Sequence, residues 1–223
     1  AESHLQWHHH DKLAHYAKDA YDVQYKFPIG FEEIEGIHNR TDFDLTQHSK
    51  FSGKDMSYID QEDGNKSFIP YVIETSAGLN RNLLMFLCEA YEEENVGTDG
   101  KDDYRTVLHF DPRLAPVTVA VLPLMKKDGL AEKAQEIRNM LKEDFMTDYD
   151  QSGTVGKRYR RQDEIGTPYC VTVDYDTLDS ASPNYETVTV RFRDSMKQER
   201  VKLSELTGFI HNAIRNYKSV VRD

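Results

Sequence analysis

The chain has 223 residues and a formal net charge of -11, with 38% hydrophobic residues that include 13 Tyr, 10 Phe and 1 Trp. That is room for one large or two modest domains with real cores, and it excludes a globally disordered chain. The acidity is lopsided: residues 116–223 carry 17 basic and 17 acidic side chains, whereas residues 1–115 carry 11 and 22. This excludes a generic nucleic-acid coat, which is basic throughout, and predicts two units with different partners.

No apolar run is long enough for a membrane span and no signal peptide opens the sequence, so a cytoplasmic protein without membrane contact is expected. Cys88 and Cys170 are far apart, each in an apolar segment, and read as reduced buried thiols. The chain opens at Ala1 without an initiator Met, the expectation being a piece of a longer polypeptide.

In chain order, Trp7-His8-His9-His10 reads as a surface turn. Consecutive histidines cannot all face one ion from a regular element, and no zinc spacing accompanies them. Leu13, Tyr16, Ala20 and Val23 predict a helix from Asp11 to about Tyr25, ended by Pro28-Ile29-Gly30. Phe31 to Ile37 reads as a strand with Glu33 and Glu35 on one face. That face is either simply wet or holds a cation between the two acids. A polar loop from Arg40 to Leu45 follows.

Ser57 to Asp60 and Ser67 to Glu74 predict a hairpin about Asp63-Gly64. Its second strand leads into Tyr71-Val-Ile-Glu74-Thr-Ser76-Ala-Gly78-Leu-Asn-Arg81, read as buried strand, small-residue turn and buried helix from about Asn80 to Glu93. Gly78 lets a flat ring approach the backbone. Arg81 lies in the first helical turn, where the dipole disfavours a cation, and this points to an anionic or electron-rich ligand. The plainer alternative is a solvent-facing arginine at a strand-to-helix turn.

Residues 94–103 read as a surface loop, Thr106 to Phe110 as a short strand, and Asp111 to Pro116 as the junction between domains 1–115 and 116–223. Beyond it, Val117, Val119 and Val121 mark a strand, and Leu130, Ala134, Ile137, Leu141 and Phe145 an amphipathic helix. Strands are expected near Met146–Asp150, Tyr169–Asp176, Glu186–Phe192 and Arg200–Leu203, then a helix from Leu206 to Tyr217. Alternating strands and helices predict an α/β domain with a mixed sheet. Lys157-Arg158-Tyr159-Arg160-Arg161 is basic with an interleaved aromatic, suited to phosphates and bases. Asp163 and Glu164 add groups that accept from base amino groups. A solvated helix face is the alternative.

Gly78-Leu-Asn-Arg81 with its apolar helix resembles motif 3 of class II aminoacyl-tRNA synthetases. Glu33-Ile-Glu35-Gly36-Ile37-His-Asn-Arg40-Thr-Asp42-Phe43-Asp44-Leu45 is similar to the glycyl-tRNA synthetase family of the homodimeric type. Gly156 to Pro168, Val171 to Thr177 and Arg193-Asp-Ser-Met196 resemble its anticodon-binding domain. The match runs from about His15 to the end. It implies an α/β fold class: an α+β catalytic remnant with an antiparallel sheet, followed by an anticodon-binding domain with a mixed five-stranded sheet.

The resemblance further implies ATP-dependent activation of glycine and transfer to the 3′ end of tRNA(Gly). Glu33 and Arg81 would be catalytic. Glu33, Ile34, Gly78, Leu79, Asn80 and Arg81 would hold ATP, with Mg²⁺ at Glu33. Glu74, Thr75, Ser76, Ala77 and Gly78 would line the glycine pocket. Arg158, Arg160, Arg161, Asp163 and Glu164 would meet the anticodon. Thr75 stands where many relatives have Pro. Motifs 1 and 2 are missing, so the site is half present and the segment alone is expected to be inactive. The competing reading is a non-catalytic accessory protein that binds nucleic acid, against which Glu33, Glu74 and Arg81 all stand. A synthetase for another amino acid is argued against by residues 35–45.

Overall fold

The computed structural model describes residues 2–218. Among these, the chain divides into two compact units between Cys88 and Glu89, upstream of the segment Asp111–Pro116. No helix among the described residues is long and apolar enough to cross a membrane.

The first unit is an antiparallel four-stranded sheet, in the order β1 (Leu5–His9), β2 (Asp19–Phe27), β3 (Gly30–Asn39), β6 (Ile73–Ala77). The expected helix over 11–25 does not form, and Trp7 to His9 are strand rather than turn. The reason is legible in β2. Tyr21, Val23, Tyr25 and Phe27 alternate, and β-branched and aromatic residues fit a pleated surface.

The loop expected over 40–45 is instead the entry to helix α1 (Phe43–Ser52). The predicted hairpin is present as β4 (Tyr58–Asp60) and β5 (Lys66–Phe68). Its second strand stops at Phe68, however, and β6 pairs with β3.

Helix α2 (Leu79–Ala90) follows β6. Tyr25, Phe27 and Ile34 form a small core against one sheet face, with Val23, Met85 and Cys88 packed on it. The buried strand and buried helix expected here are not buried. Along β6 only Glu74 is half-covered, and Leu79, Leu83, Leu84, Phe86 and Leu87 of α2 are all exposed.

The second unit begins with the hairpin β7 (Tyr91–Asn95) and β8 (Tyr104–Leu108). It continues into a five-stranded sheet ordered β10 (Thr147–Tyr149), β9 (Val119–Pro123), β11 (Tyr169–Val173), β12 (Thr187–Phe192), β13 (Gln198–Lys202). The first three strands are parallel and the last two antiparallel, the mixed sheet expected.

Helices α3 (Leu130–Leu141), α4 (Val155–Glu164), α5 (Tyr175–Leu178) and α6 (Leu206–Arg215) complete the unit. Leu130, Ala134, Ile137 and Leu141 sit with Val119, Val121, Val171, Val173, Val188, Val190, Leu206 and Ile210 in one buried cluster. Ala120, Leu122 and Cys170 are buried on the opposite face, with Tyr159 of α4 against them. The central strands are covered on both faces, which is why they read as continuous apolar runs.

Candidate functional site

Strand alternation decides which side chains share a sheet face in the first unit. Tyr25 and Phe27 point toward the α2 side, so Ala20 and Asp22 point the other way. Asp22 pairs in register with Gly36, and Gly36 with Ser76; Ala20 pairs with His38, and His38 with Glu74. This second face therefore presents Asp22, Gly36, His38, Glu74 and Ser76 together.

The register slips between Val23 and Gln24, leaving Ile34 as an extra residue in β3. That bulge breaks the expected sharing of one face by Glu33 and Glu35. A Cβ at Gly36 would lie 3.6 Å from Glu33 Oε1, so Glu33 reaches over the Asp22–Ser76 face. Glu35 stands beside Gly36 in the alternation and points away. The side chains of Thr75 and Ala77 alternate with those of Glu74 and Ser76 and leave this face.

The turn into α2 brings the expected residues to one place. Arg81 donates from Nη1 to the Glu33 carbonyl oxygen at 2.7 Å and stands 3.7 Å from the Glu33 carboxylate. The Ile34 carbonyl accepts from Gly78 N–H at 3.3 Å and from Asn82 Nδ2 at 3.1 Å. A cation at this helix start is thus held by a strand carbonyl and an acid. A Cβ at Gly78 would meet only Arg81 Cβ, at 4.0 Å, so the backbone there is open to a flat group. Leu79 is 83% exposed, and Asn80 is exposed as well.

Glu74 accepts from Arg40 Nη1 at 2.6 Å. Arg40 also grips Asp44 through Nε at 2.6 Å and Nη2 at 3.1 Å, and lies 4.2 Å from the Tyr16 ring centroid. These contacts raise the Arg40 pKa and lower that of Asp44, in both cases chiefly through the hydrogen bond between the two. Arg40 precedes α1 and Asp44 lies in its first turn, so the pair ties the strand end to the helix start. The face as a whole is acidic and held in place by one arginine.

The basic run of the second unit divides by burial. Arg158 is 2% exposed and donates to the Pro123 carbonyl, to Leu124 and Gly153 carbonyls at 3.2 Å each, and to Asp150 O at 3.5 Å. Burial lowers its pKa. Asp163 is fully buried and binds Arg191 through two bonds of 2.8 and 2.9 Å and Arg105 at 3.1 Å.

Arg158 and Asp163 are therefore structural ties: Asp163 is closed off from a ligand base, contrary to the sequence expectation, and Arg158 commits its Nη donors to backbone carbonyls. Arg160 pairs with Asp103 at 2.6 Å, Arg161 with Asp150, and Glu164 is exposed. Of the expected set, these three reach the surface.

Sequence reasoning missed the cleft beside them. The loop after β9 and the loop after β10 flank a cavity of about 660 Å³ lined by Leu124 to Lys127, Gln151, Gly153 to Val155 and Arg158. The chain leaves β9 for β10 on one side and returns to β11 on the other. The cavity lies outside the carboxyl ends of these strands at that switch, where open α/β sheets place their ligands. Thr154 caps α4 there, accepting from Lys157 N–H, and Lys126 and Lys127 add positive charge.

Glu92, Glu94 and His109 also approach one another closely enough for an ion. His109 is already bonded to Glu94 at 2.8 Å and to Asp194 at 2.6 Å, however, which accounts for the group as an ion-pair network.

The chain is similar in sequence to known proteins along nearly its whole length. Residues 118–213 match the family described as anticodon binding domain. The chain is 66% identical over 96% of its length to a glycine–tRNA ligase of Treponema denticola, covering 47% of that protein. It is 54% identical to the glycine–tRNA ligases of Chlorobaculum tepidum and Borrelia hermsii, over 92% and 96% of this chain and 42% and 46% of theirs. The chain spans about half the length of the curated relatives it matches.

Proposed function

We propose, from the premise that the chain belongs to the glycine–tRNA ligase family over the half that it spans, that it supplies one part of a glycine-activating site and the tRNA anticodon reader. The observation that carries this is the meeting of Arg81 with Glu33 beside the open Gly78 turn, on a sheet whose acidic face holds Glu74.

In this reading the adenine ring lies against the backbone of Gly78 to Asn80, with the Arg81 guanidinium over it. Glu74 and Ser76 receive the glycine ammonium group. The glycine carboxylate oxygen attacks the α-phosphorus of ATP, pyrophosphate leaves, and glycyl-adenylate forms. The terminal hydroxyl of tRNA(Gly) then attacks the glycyl carbonyl and AMP leaves. Nothing here requires a protein nucleophile, so the protein contributes positioning and electrostatics.

The exposed Glu33 carboxylate fits a Mg²⁺ that takes one or two protein carboxylates and otherwise phosphates and water. Mg²⁺ would supply charge neutralisation on the phosphates. The acidic face suits a cation, and its crowding by His38 over Gly36 suits the smallest amino acid. The exposed apolar side of α2 supports the reading that residues 1–223 alone do not activate glycine, and that a larger, homodimeric cytoplasmic enzyme does.

The switch-point cleft suits an unstacked anticodon base, with Lys126, Lys127, Arg160 and Arg161 near the phosphates. Charging tests the reading. The complete polypeptide is expected to attach labelled glycine to a tRNA(Gly) transcript, and to lose that activity when anticodon bases are changed. Tight tRNA binding without any charging would move the reading to an accessory nucleic-acid-binding protein.

A further inference from the structure

Asp22 is the one charged side chain buried in the first unit among the described residues, and the reading above gives it no role. It lies on the second strand of the sheet, in register with Gly36 and through it with Ser76. Its Oδ2 is 2.7 Å from His10 Nε2 and its Oδ1 is 3.8 Å from His38 Nε2. The other nitrogen of His38 stands 3.9 Å from Glu74 Oε2. One imidazole therefore separates two carboxylates.

That imidazole lies low over the sheet, since a Cβ at Gly36 would come within 3.1 Å of its Nε2. The charged and titratable groups around the place are His8 from the first strand and His10 just after it, His38 and Glu33 from the third, and Glu74 with Arg40. A buried carboxylate costs stability unless paired, and imidazoles are its partners here. The arrangement keeps negative charge beneath a bare glycine, next to the acid that faces solvent.

We propose that Asp22 is a positioning residue of the amino-acid subsite: a fixed charge that holds His10, and through charge His38, over the sheet beside Glu74 and keeps this face receptive to an ammonium group. The proposal rests on the reading that Glu74 receives that group. It has a signed consequence. Removing the charge weakens the hold on glycine's ammonium group and leaves an anionic nucleotide unharmed, whereas loosening of the sheet weakens both.

The test is glycine-dependent ATP–pyrophosphate exchange by the complete polypeptide carrying Asp22→Asn or Asp22→Glu. Asp22→Asn is expected to raise KM for glycine about tenfold with KM for ATP unchanged or lower, and Asp22→Glu to restore part of the loss. If Asp22→Asn does not fold, His10→Asn keeps the charge, frees its orientation and carries the same test, with a rise of about threefold confined to glycine. An unchanged KM for glycine, or equal rises for both substrates, overturns the proposal alone. A wild-type polypeptide that shows no glycine exchange overturns it together with the reading beneath it.

Discussion

Arg81 Nη1 and the Glu33 carbonyl oxygen are 2.7 Å apart, so the cation at the start of α2 is tied to the strand that carries the acid. That bond fixes the guanidinium plane, which is what stacking on a nucleotide base needs. Replacing Arg81 by Lys keeps the charge and loses the plane. In the complete polypeptide, Arg81→Lys is expected to lower kcat/KM for ATP about a hundredfold, with KM for glycine little changed. Steady-state exchange kinetics with ATP and glycine varied in turn check this.

Asp163 is fully buried between Arg105 and Arg191. Removing it leaves the Arg191 guanidinium buried without a carboxylate, while Arg105 keeps Glu94 at 2.6 Å, a change that costs about 3–5 kcal/mol. Asp163→Ala is expected to shift the urea midpoint of the second unit down sharply. Glu164→Ala, one residue along and exposed, should leave it in place.

Asp194 meets His109 at 2.6 Å and Arg193 at 2.7 Å. Burial works to raise its pKa, but these two partners outweigh it and hold the carboxyl well below the usual range. The folded value is depressed, so the stabilisation is complete above the unfolded value of about 3.9 and disappears as pH falls toward the folded one. Asp194→Asn should lower stability at neutral pH and flatten its fall below about pH 4. Thermal melts on both sides of that value of about 3.9 check it.

Burial pushes the Cys170 thiol up to about 12. It should resist alkylation in the folded protein at mildly alkaline pH and react only on unfolding. Mass spectrometry after iodoacetamide treatment, with and without urea, reads this directly.

Lys126 and Lys127 line the switch-point cleft. A double change to Glu is expected to weaken binding of tRNA about tenfold or more and to reduce its salt dependence, with folding unaffected. Arg158→Ala should instead destabilise the second unit, because Arg158 ties the end of β9 to the loop after β10.

The second unit was largely legible because its core is complete within the chain. The fours and threes from Leu130 to Leu141 and the apolar runs at Val119 and Tyr169 each became the element they predicted. The first unit was harder to read. Leu13 to Val23 mimics a helical spacing, but the dyad pattern from Tyr21 to Phe27 wins because β2 pairs with strands on both sides.

Glu33, Arg81 and Glu74 stood out in the sequence by residue type and position, and the structure brings Glu33 and Arg81 together. Asp22 and His38 were not, because only cross-strand register places them beside Glu74. Burial also separated Arg158 and Asp163 from their exposed neighbours. A run of charged letters does not show which of them a helix turns inward.

The most direct test of the central claim is ATP–pyrophosphate exchange by the complete polypeptide with each amino acid in turn, wild type beside Glu74→Gln. The account predicts exchange with glycine alone, lost in Glu74→Gln, and none by residues 1–223. Exchange with a different amino acid, or with glycine undiminished in Glu74→Gln, would contradict it.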